Sequence, residues 1–287
     1  MTPLVGLHAD RPVHVETRGA DRVVVKRYVA GGAEAVYAQM SALWASPFGA
    51  DRRPPGLPRP IGLNADHEEV EMQFLPGDPI GSRGDLGLSV QQLPEVARLL
   101  ADLHSSGVRV DRRRSPAALL RSSHRKVDEL ASTGGKDSAD RFVVAELARR
   151  LLQRLALAVP TGTELVLSHG DFSPRNVLLT PDGLALIDFD RLQMAAPERD
   201  ISYWGAWTWV TMLTTGQPPR WWVGDELALA YHGFRPAAPK SDPSALAFYR
   251  AVALLRIAHG WSALQAAPQT AALVLREALS LLDADEG

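Results

Sequence analysis

Apolar residues alternate with polar ones in one short stretch near the start of the chain and gather as β-branched residues in the next; beyond residue 80 they recur mainly at helical spacing. VHVET (Val13 to Thr17) and RVVVKRYV (Arg22 to Val29) read as strands, joined through Arg18, Gly19, Ala20 and Asp21. Residues 32–45 place Val36, Tyr37, Met40, Leu43 and Trp44 on a helical stripe. Ser46 to Pro60 carries five prolines and reads as a loop. IGLNADHEEVEMQFL then reads as a second hairpin, ended by PGDP at Pro76 to Pro79. Helical spacing follows at 89–105, 116–131, 138–158, 199–213, 225–233, 243–266 and 269–283. Ser132 to Asp140, STGGKDSAD, reads as a flexible connection between two of these helices. The pattern divides the chain into a small, mostly β part at 1–76 and a larger, mostly helical part at 77–287.

One stretch interrupts the helical texture. LSHGDFSPRNVLLTPDGLALIDFD, Leu167 to Asp190, sets His169, Asp171, Asn176, Asp188 and Asp190 among short apolar runs. The PDG turn makes NVLLT and LALID a hairpin, with Asn176 and Asp188 at its same end, beside the loop that carries Asp171. Any one of these residues could be a cap or turn residue; the ordered set asks for more. Carboxylates beside buried strands are costly without compensation. An Asp and an Asn converging with a second Asp form a hard, oxygen-only environment that suits Mg²⁺ when phosphates fill its remaining positions. A further carboxylate, offset from the metal, can accept a hydroxyl proton. Together these are the parts of phosphoryl transfer.

Bulk properties narrow the alternatives without adding chemistry. A chain of 287 residues, 46% hydrophobic, can bury a large core. A formal charge of −2 shows no overall bias toward nucleic acid or anionic membrane. With no cysteine there is neither a disulfide framework nor thiolate chemistry. MTPLVGLHAD lacks the basic and apolar segments of a signal peptide, and no uncharged apolar run approaches membrane-spanning length. The expectation is a soluble, cytoplasmic protein.

HGDxxxxN followed by IDFD resembles the catalytic and metal-binding segments of the aminoglycoside phosphotransferase and choline kinase family, a relative of the protein kinases. The resemblance implies an α+β, two-lobed, protein-kinase-like fold with a small β-rich N-lobe and a larger, mostly helical C-lobe. It implies ATP and Mg²⁺ as cofactors, Asp171 as catalytic base, and Asn176 and Asp188 as Mg²⁺ ligands. His169 then braces the loop, Asp190 supports the metal site, and Asp200 in PERDIS ties down the catalytic loop through its backbone. Lys26 in VVVKRY matches the lysine that holds the α- and β-phosphates. EVEMQFLPGDP resembles the strand into the interlobe hinge, so that Gln73, Phe74 and Leu75 meet adenine. Leu103-His104 matches a pair common at the end of the next helix.

Two features depart from that pattern. Gly6 and Gly19 are the only glycines before Lys26, so no GxGxxG exists and the turn at Leu7 to Arg11 has to cover the phosphates. The carboxylate partner of Lys26 is expected at Glu34, the only acid on its helix.

For the acceptor, DISYWGAWTWVTMLTTGQPPRWW is aromatic and nearly acid-free after Asp200. Trp204 and Trp207 fall on one helical face as candidate pocket walls for an apolar, aromatic or quaternary-ammonium acceptor. The basic run from Arg109 to Lys126 reads as a solvated face or as a dock for an acidic protein or leader peptide. No readout motif for nucleic acid accompanies it. The reading is a phosphotransferase moving the γ-phosphate of ATP to a hydroxyl. The acceptor is a small molecule (an antibiotic, amino alcohol or sugar) or a Ser or Thr of a precursor peptide. The other readings are a catalytically silent kinase-like module working with a partner, and a metal-dependent phosphohydrolase.

Overall fold

The computed structural model describes residues 13–19, 21–29, 31–50, 56–81, 86–132, 139–162, 164–263 and 268–283. Leu7 to Arg11 lie outside them. The N-terminal part is an antiparallel sheet of β1 (Val13–Arg18), β2 (Asp21–Arg27), β3 (Pro60–Asn64) and β4 (Glu69–Gln73), in the order β1-β2-β4-β3. Against it lies helix α1 (Gly32–Trp44), with the short α2 (Pro47–Ala50) packed on α1, inside the stretch expected to be loop. The alternation of β2 explains its place in the centre: Val23 and Val25 are buried on one face. Lys26 follows them on the other face and stands opposite Val70 of β4.

The first turn of α1 is capped from another element. Glu68, in the left-handed region at φ 54°, accepts the Gly31 N–H at 2.6 Å and the Ala33 N–H at 3.1 Å. This answers two of the donors a helix start leaves open.

After β5 (Asp78–Pro79) the chain becomes helical: α3 (Leu86–Gln91), α4 (Leu93–His104), α5 (Pro116–Ser132) and α6 (Ala139–Leu157), with β6 (Arg113–Arg114) between α4 and α5. The single helix expected over 89–105 is therefore two. Pro94 has no N–H to continue the ladder and its ring crowds the preceding turn, so α4 restarts with proline in its first turn. Next come β7 (Val166–Ser168), β8 (Val177–Thr180), β9 (Gly183–Leu186) and β10 (Gln193–Ala195). Helices α7 (Glu198–Thr214), α8 (Trp222–Phe234), α9 (Pro243–Ala263) and α10 (Pro268–Asp283) complete the fold. No helix among the described residues is long and apolar enough to cross a membrane.

Two small sheets hold the site. β8 and β9 pair antiparallel across the PDG turn, and β5 joins the β8 edge. β10 pairs antiparallel with β7 and parallel with β6, which brings Arg113 and Arg114 beside Met194 and Ala195. Neither β6 nor β10 was expected; at two and three residues they are too short to show a period.

One apolar core runs from α1 and the first sheet through α4 to the β8–β9 hairpin and α8; a second joins α5, α6, α7, α9 and α10. α4 shows why this division positions the site. Its Val96, Leu99, Leu100 and Leu103 are fully buried, each contributing about 1.5–3 kcal/mol by leaving water. That stripe packs α4 on α8 and leaves His104, at the helix end, buried beside α7.

Candidate active site

The loop after β7 turns at Gly170, where φ is 76° and a Cβ atom would stand 2.4 Å from the Arg191 carbonyl oxygen. Only glycine fits both the torsion and the space. Gly170→Ala is therefore expected to push the loop off Arg191. In a urea titration it should cost roughly 1–2 kcal/mol from the torsion alone, and the displaced Asp171 should lower activity as well.

The loop is held by a buried polar chain. The Asp200 carboxylate accepts the His169 N–H at 2.8 Å and the Gly170 N–H at 2.9 Å. It also accepts Nε2–H of His104 at 3.1 Å, and both of these side chains are fully buried. With Nε2 donating, His104 Nδ1 accepts from the Tyr231 hydroxyl at 2.8 Å, and that hydroxyl accepts from Arg235 at 2.7 Å. Burial pushes the Asp200 carboxyl up, but the His104 hydrogen bond and neighbouring positive charge outweigh it and hold it below the ordinary carboxylate value. His169 donates Nε2–H to the Ile187 carbonyl at 3.0 Å and so ties the loop to the residue before Asp188.

The hairpin brings the other residues in. Ile187 N–H donates to the Asn176 carbonyl at 2.9 Å, next to the Val177–Leu186 pair, which fixes Asn176 and Asp188 at one end. Asn176 Nδ2 donates to the Asp171 carbonyl at 2.8 Å, which leaves its Oδ1 as the atom available to a cation. Asp188 sits in the left-handed region at φ 66°, a conformation Asp tolerates better than most residues but that persists only where the surroundings impose it.

Lys26 Nζ lies 2.6 Å from Asp188 Oδ1 and 2.7 Å from Asp190 Oδ2, and the Tyr28 hydroxyl donates to Asp190 Oδ1 at 2.8 Å. Burial pushes the Lys26 ammonium down, but the two carboxylates outweigh it and hold it above its ordinary value. The expected partner Glu34 does not take part. The buried stripe of α1 is Ala33, Val36, Met40 and Leu43, and Glu34 falls off that stripe into solvent.

In the segment after β4, the Gln73 N–H donates to the Arg59 carbonyl at 2.9 Å and the Phe74 N–H to the Arg22 carbonyl at 3.3 Å. The Phe74 ring lies under the Arg22 guanidinium at 3.8 Å. Leu75, half-buried, is the first of the three whose N–H is not used this way.

The surroundings of Asp171 differ from the expectation. Its Oδ1 pairs with Arg256 Nη2 at 2.7 Å, and the same guanidinium donates from Nη1 to the Gly170 carbonyl at 2.7 Å. Arg191 Nε stands 3.9 Å from Oδ2. Burial pushes Asp171 up; Arg256 and Arg191 outweigh it and hold the carboxyl below its ordinary range. Arg256 lies on α9 and packs over the Tyr203 ring at 4.2 Å. Between these groups lies a small cleft, lined by Gly170, Arg199, Tyr203, Tyr249 and Arg256 with Val252 and Ala253. No local signal in the sequence marks Arg256: it stands 85 residues from Asp171 in a helix read only for its apolar spacing.

The tryptophans proposed as pocket walls are placed otherwise. Trp204 is fully buried against Phe172, with ring centroids 5.1 Å apart. Trp207 is half-buried and its face is covered by Arg175 at 3.9 Å. α7 is buried on nearly every side, between the two apolar cores, so its aromatic residues fill space rather than line a cleft. The basic run also divides. Arg109, Arg113, Arg121 and Arg125 are exposed, while Arg114 and Lys126 are half-buried.

The donors fit Mg²⁺. No group of three or more His, Asp or Glu that could hold a metal exists among the described residues, so no all-protein cage is formed. Asp188 Oδ2 and Asn176 Oδ1 instead offer one carboxylate and one amide oxygen, the partial set an ion takes when phosphates and water supply the rest.

Comparison with known proteins bears on the fold and the family. No sequence of a curated protein matches the chain. Among solved structures, a choline kinase from Streptococcus pneumoniae is 13% identical, with 98% of this chain and 92% of that one covered at a TM-score of 0.62. A choline kinase from Cryptosporidium parvum is also 13% identical, with 98% and 88% covered and a TM-score of 0.67. A spectinomycin phosphotransferase in complex with ADP and spectinomycin is 16% identical, with 99% and 92% covered and a TM-score of 0.61. At these identities the likeness establishes the fold: α+β, two-lobed and protein-kinase-like. The model of the phosphotransferase enzyme family matches residues 1–237, more than half of the sequence, and the chain belongs to that family: it is a kinase transferring phosphate to hydroxyl groups.

Proposed function

We propose that the protein transfers the γ-phosphate of MgATP to a hydroxyl of a small molecule. The observation that carries this reading is the linkage of Lys26, from the first sheet, to three groups of the stretch from Leu167 to Asp190. Lys26 meets Asp188, the Ile187 N–H reaches Asn176, and Asn176 reaches Asp171, all through contacts of 3.0 Å or less. In this reading Asp188 and Asn176 hold Mg²⁺, which neutralises charge on the phosphates. Lys26 holds the α- and β-phosphates, with Asp190 and Tyr28 fixing its position. Adenine lies along the segment from Gln73 to Leu75, with Leu75 offering the backbone contact. Asp171 receives the acceptor hydroxyl; His169 and Asp200 hold its loop.

A catalytically silent module is the weaker reading, because it gives no work to a carboxylate kept in the base form at Asp171. A hydrolase likewise leaves Lys26 and Asn176 without work. The test is transfer of labelled γ-phosphate to a panel of alcohols, amino alcohols, sugars, hydroxy acids and Ser/Thr peptides, with Asp171→Ala as control. Transfer that the control abolishes supports the reading; transfer to peptides alone replaces its small-molecule clause. Nucleotide binding is read separately. MgATP at 100 times its Kd should stabilise the protein by about 2.7 kcal/mol, and Asp188→Ala should lose most of that shift. A protein that MgATP does not stabilise is a silent module.

A further inference from the structure

The acceptor side of Asp171 is built from cations. Arg256 contacts its carboxylate directly and Arg191 stands beside it. Arg199, at the start of α7, lines the same cleft as Arg256. The β6–β10 pairing brings Arg112 and Arg114 to this edge, since the Met194 N–H donates to the Arg112 carbonyl at 2.8 Å and Arg114 stands opposite Ala195, just before α7. Lys126 joins them from α5, which packs against α9. All six come from the C-terminal part of the fold, none from the sheet that carries Lys26.

Their compensation is thin. With its amide oxygen turned toward Arg199, Gln193 accepts from Nε at 2.6 Å and from Nη2 at 3.1 Å. Lys126 donates to the Ser122 hydroxyl and carbonyl at 2.8 and 3.2 Å. Among the described residues no carboxylate forms an ion pair with Arg112, Arg114, Lys126 or Arg199. Asp171 serves Arg256 and Arg191, and the other buried acid, Asp200, accepts from His104 and the loop. The groups sense one another. Burial pushes Lys126 down to about 8, with Arg256, Arg125, Arg199 and Arg114 adding to the shift. Burial and the charge of Arg256 also lower Arg199; the Asp200 carboxylate opposes them, and Arg114 and Arg112 add to the lowering. Like charges gathered this way, with Arg114, Lys126 and Arg199 half-buried and Arg112 exposed, oppose folding and are relieved by a bound anion.

We propose that the acceptor is itself anionic: its hydroxyl reaches Asp171 while a carboxylate, sulfate or phosphate elsewhere on the same small molecule is gripped by Arg199, Arg114 and their neighbours. This inference rests on the phosphotransferase reading and specifies its substrate class. The chemistry is recognition by planar guanidinium forks, which match two oxygens of one anion. The tyrosines Tyr203 and Tyr249 supply the cleft's walls. A polycationic sugar or a quaternary ammonium alcohol meets repulsion at the same place.

The test uses the full chain with saturating MgADP, and the double variant Arg114→Gln/Arg199→Gln. At fixed ionic strength, replacing chloride by sulfate or inorganic phosphate should raise the melting temperature of the wild type. In the variant the shift should fall to less than half. Without added anion the variant should melt at or above the wild type, because repulsion has been removed, which separates lost binding from lost folding. In the transfer assay, hydroxy acids and sugar phosphates should exceed their esters and parent sugars by at least tenfold in kcat/KM, with the advantage lost in the variant. No anion-specific shift, an equal shift in the variant, or a preference for cationic or neutral acceptors overturns the inference. Those results leave the kinase reading standing, because the MgATP shift and its loss in Asp188→Ala are measured independently.

Discussion

Asp171→Asn is expected to lower the rate of phosphate transfer by about 10²- to 10⁴-fold, the usual worth of a positioned general base, while MgATP binding stays intact. The substitution keeps the shape of the side chain and one oxygen for Arg256, so the loop that Asp200 holds should not move. What it removes is the negative charge that, in the proposed reaction, orients the hydroxyl and takes its proton. The measurement is kcat for the best acceptor beside the thermal shift given by MgATP. Loss of turnover with an unchanged shift assigns the step to Asp171; loss of both would mean that the substitution had disturbed the metal end through Asn176. The pH profile gives a second check. Burial and Arg256 oppose each other at this carboxyl, and the guanidinium side wins, so its folded value lies below the ordinary 3.8. Asp171 is then fully ionised throughout neutral pH, and no inflection between pH 6 and 9 should belong to it. In the proposed reaction it would contribute charge and placement rather than a tuned basicity.

How far the sequence reached follows from how local each feature is. The convergence of Asp171, Asn176 and Asp188 was legible because one loop and one hairpin carry them all, and a turn such as PDG leaves few ways to fold. Lys26 was legible from its strand, yet its partners were not. Glu34 is near in sequence, whereas Asp188 and Asp190 reach Lys26 across 162 and 164 positions through the packing of the two parts of the fold. The acceptor side was misread for the same reason. Aromatic residues on α7 were visible as a run, but a run does not say which face is buried, and Trp204 proves to be core. Arg256 and Arg199 meet only because α9 packs on α7. Arg114 joins them through a strand of two residues, shorter than any period. The break at Pro94 was written in the sequence and was overridden by the apolar spacing on either side of it.

The largest effect on stability is expected at Asp200, a residue that touches no substrate. Asp200→Ala leaves three buried donors without an acceptor: His104 Nε2–H and the backbone N–H groups of His169 and Gly170. Each orphan costs about 1–3 kcal/mol. Partial relaxation and water entry keep the sum near the roughly 3–5 kcal/mol typical of a broken buried pair. Urea unfolding at neutral pH should show that loss, and turnover should fall with it, since Gly170 precedes Asp171. The sign of the pH effect follows from the carboxyl's depressed folded value. A group with a lowered folded pKa contributes stability that is present above its unfolded value, near the ordinary 3.8, and is lost as pH falls through the folded one. The wild type should therefore lose stability on acidification below about pH 4. Asp200→Asn, which cannot ionise, should be less stable at neutral pH and flatter below it. If Asp200→Ala unfolds at the same urea concentration as the wild type, the loop is held instead by Arg256 on the Gly170 carbonyl and by His169 on the Ile187 carbonyl. The buried chain from Arg235 through Tyr231 and His104 would then be packing rather than the tie between the helical core and the catalytic loop.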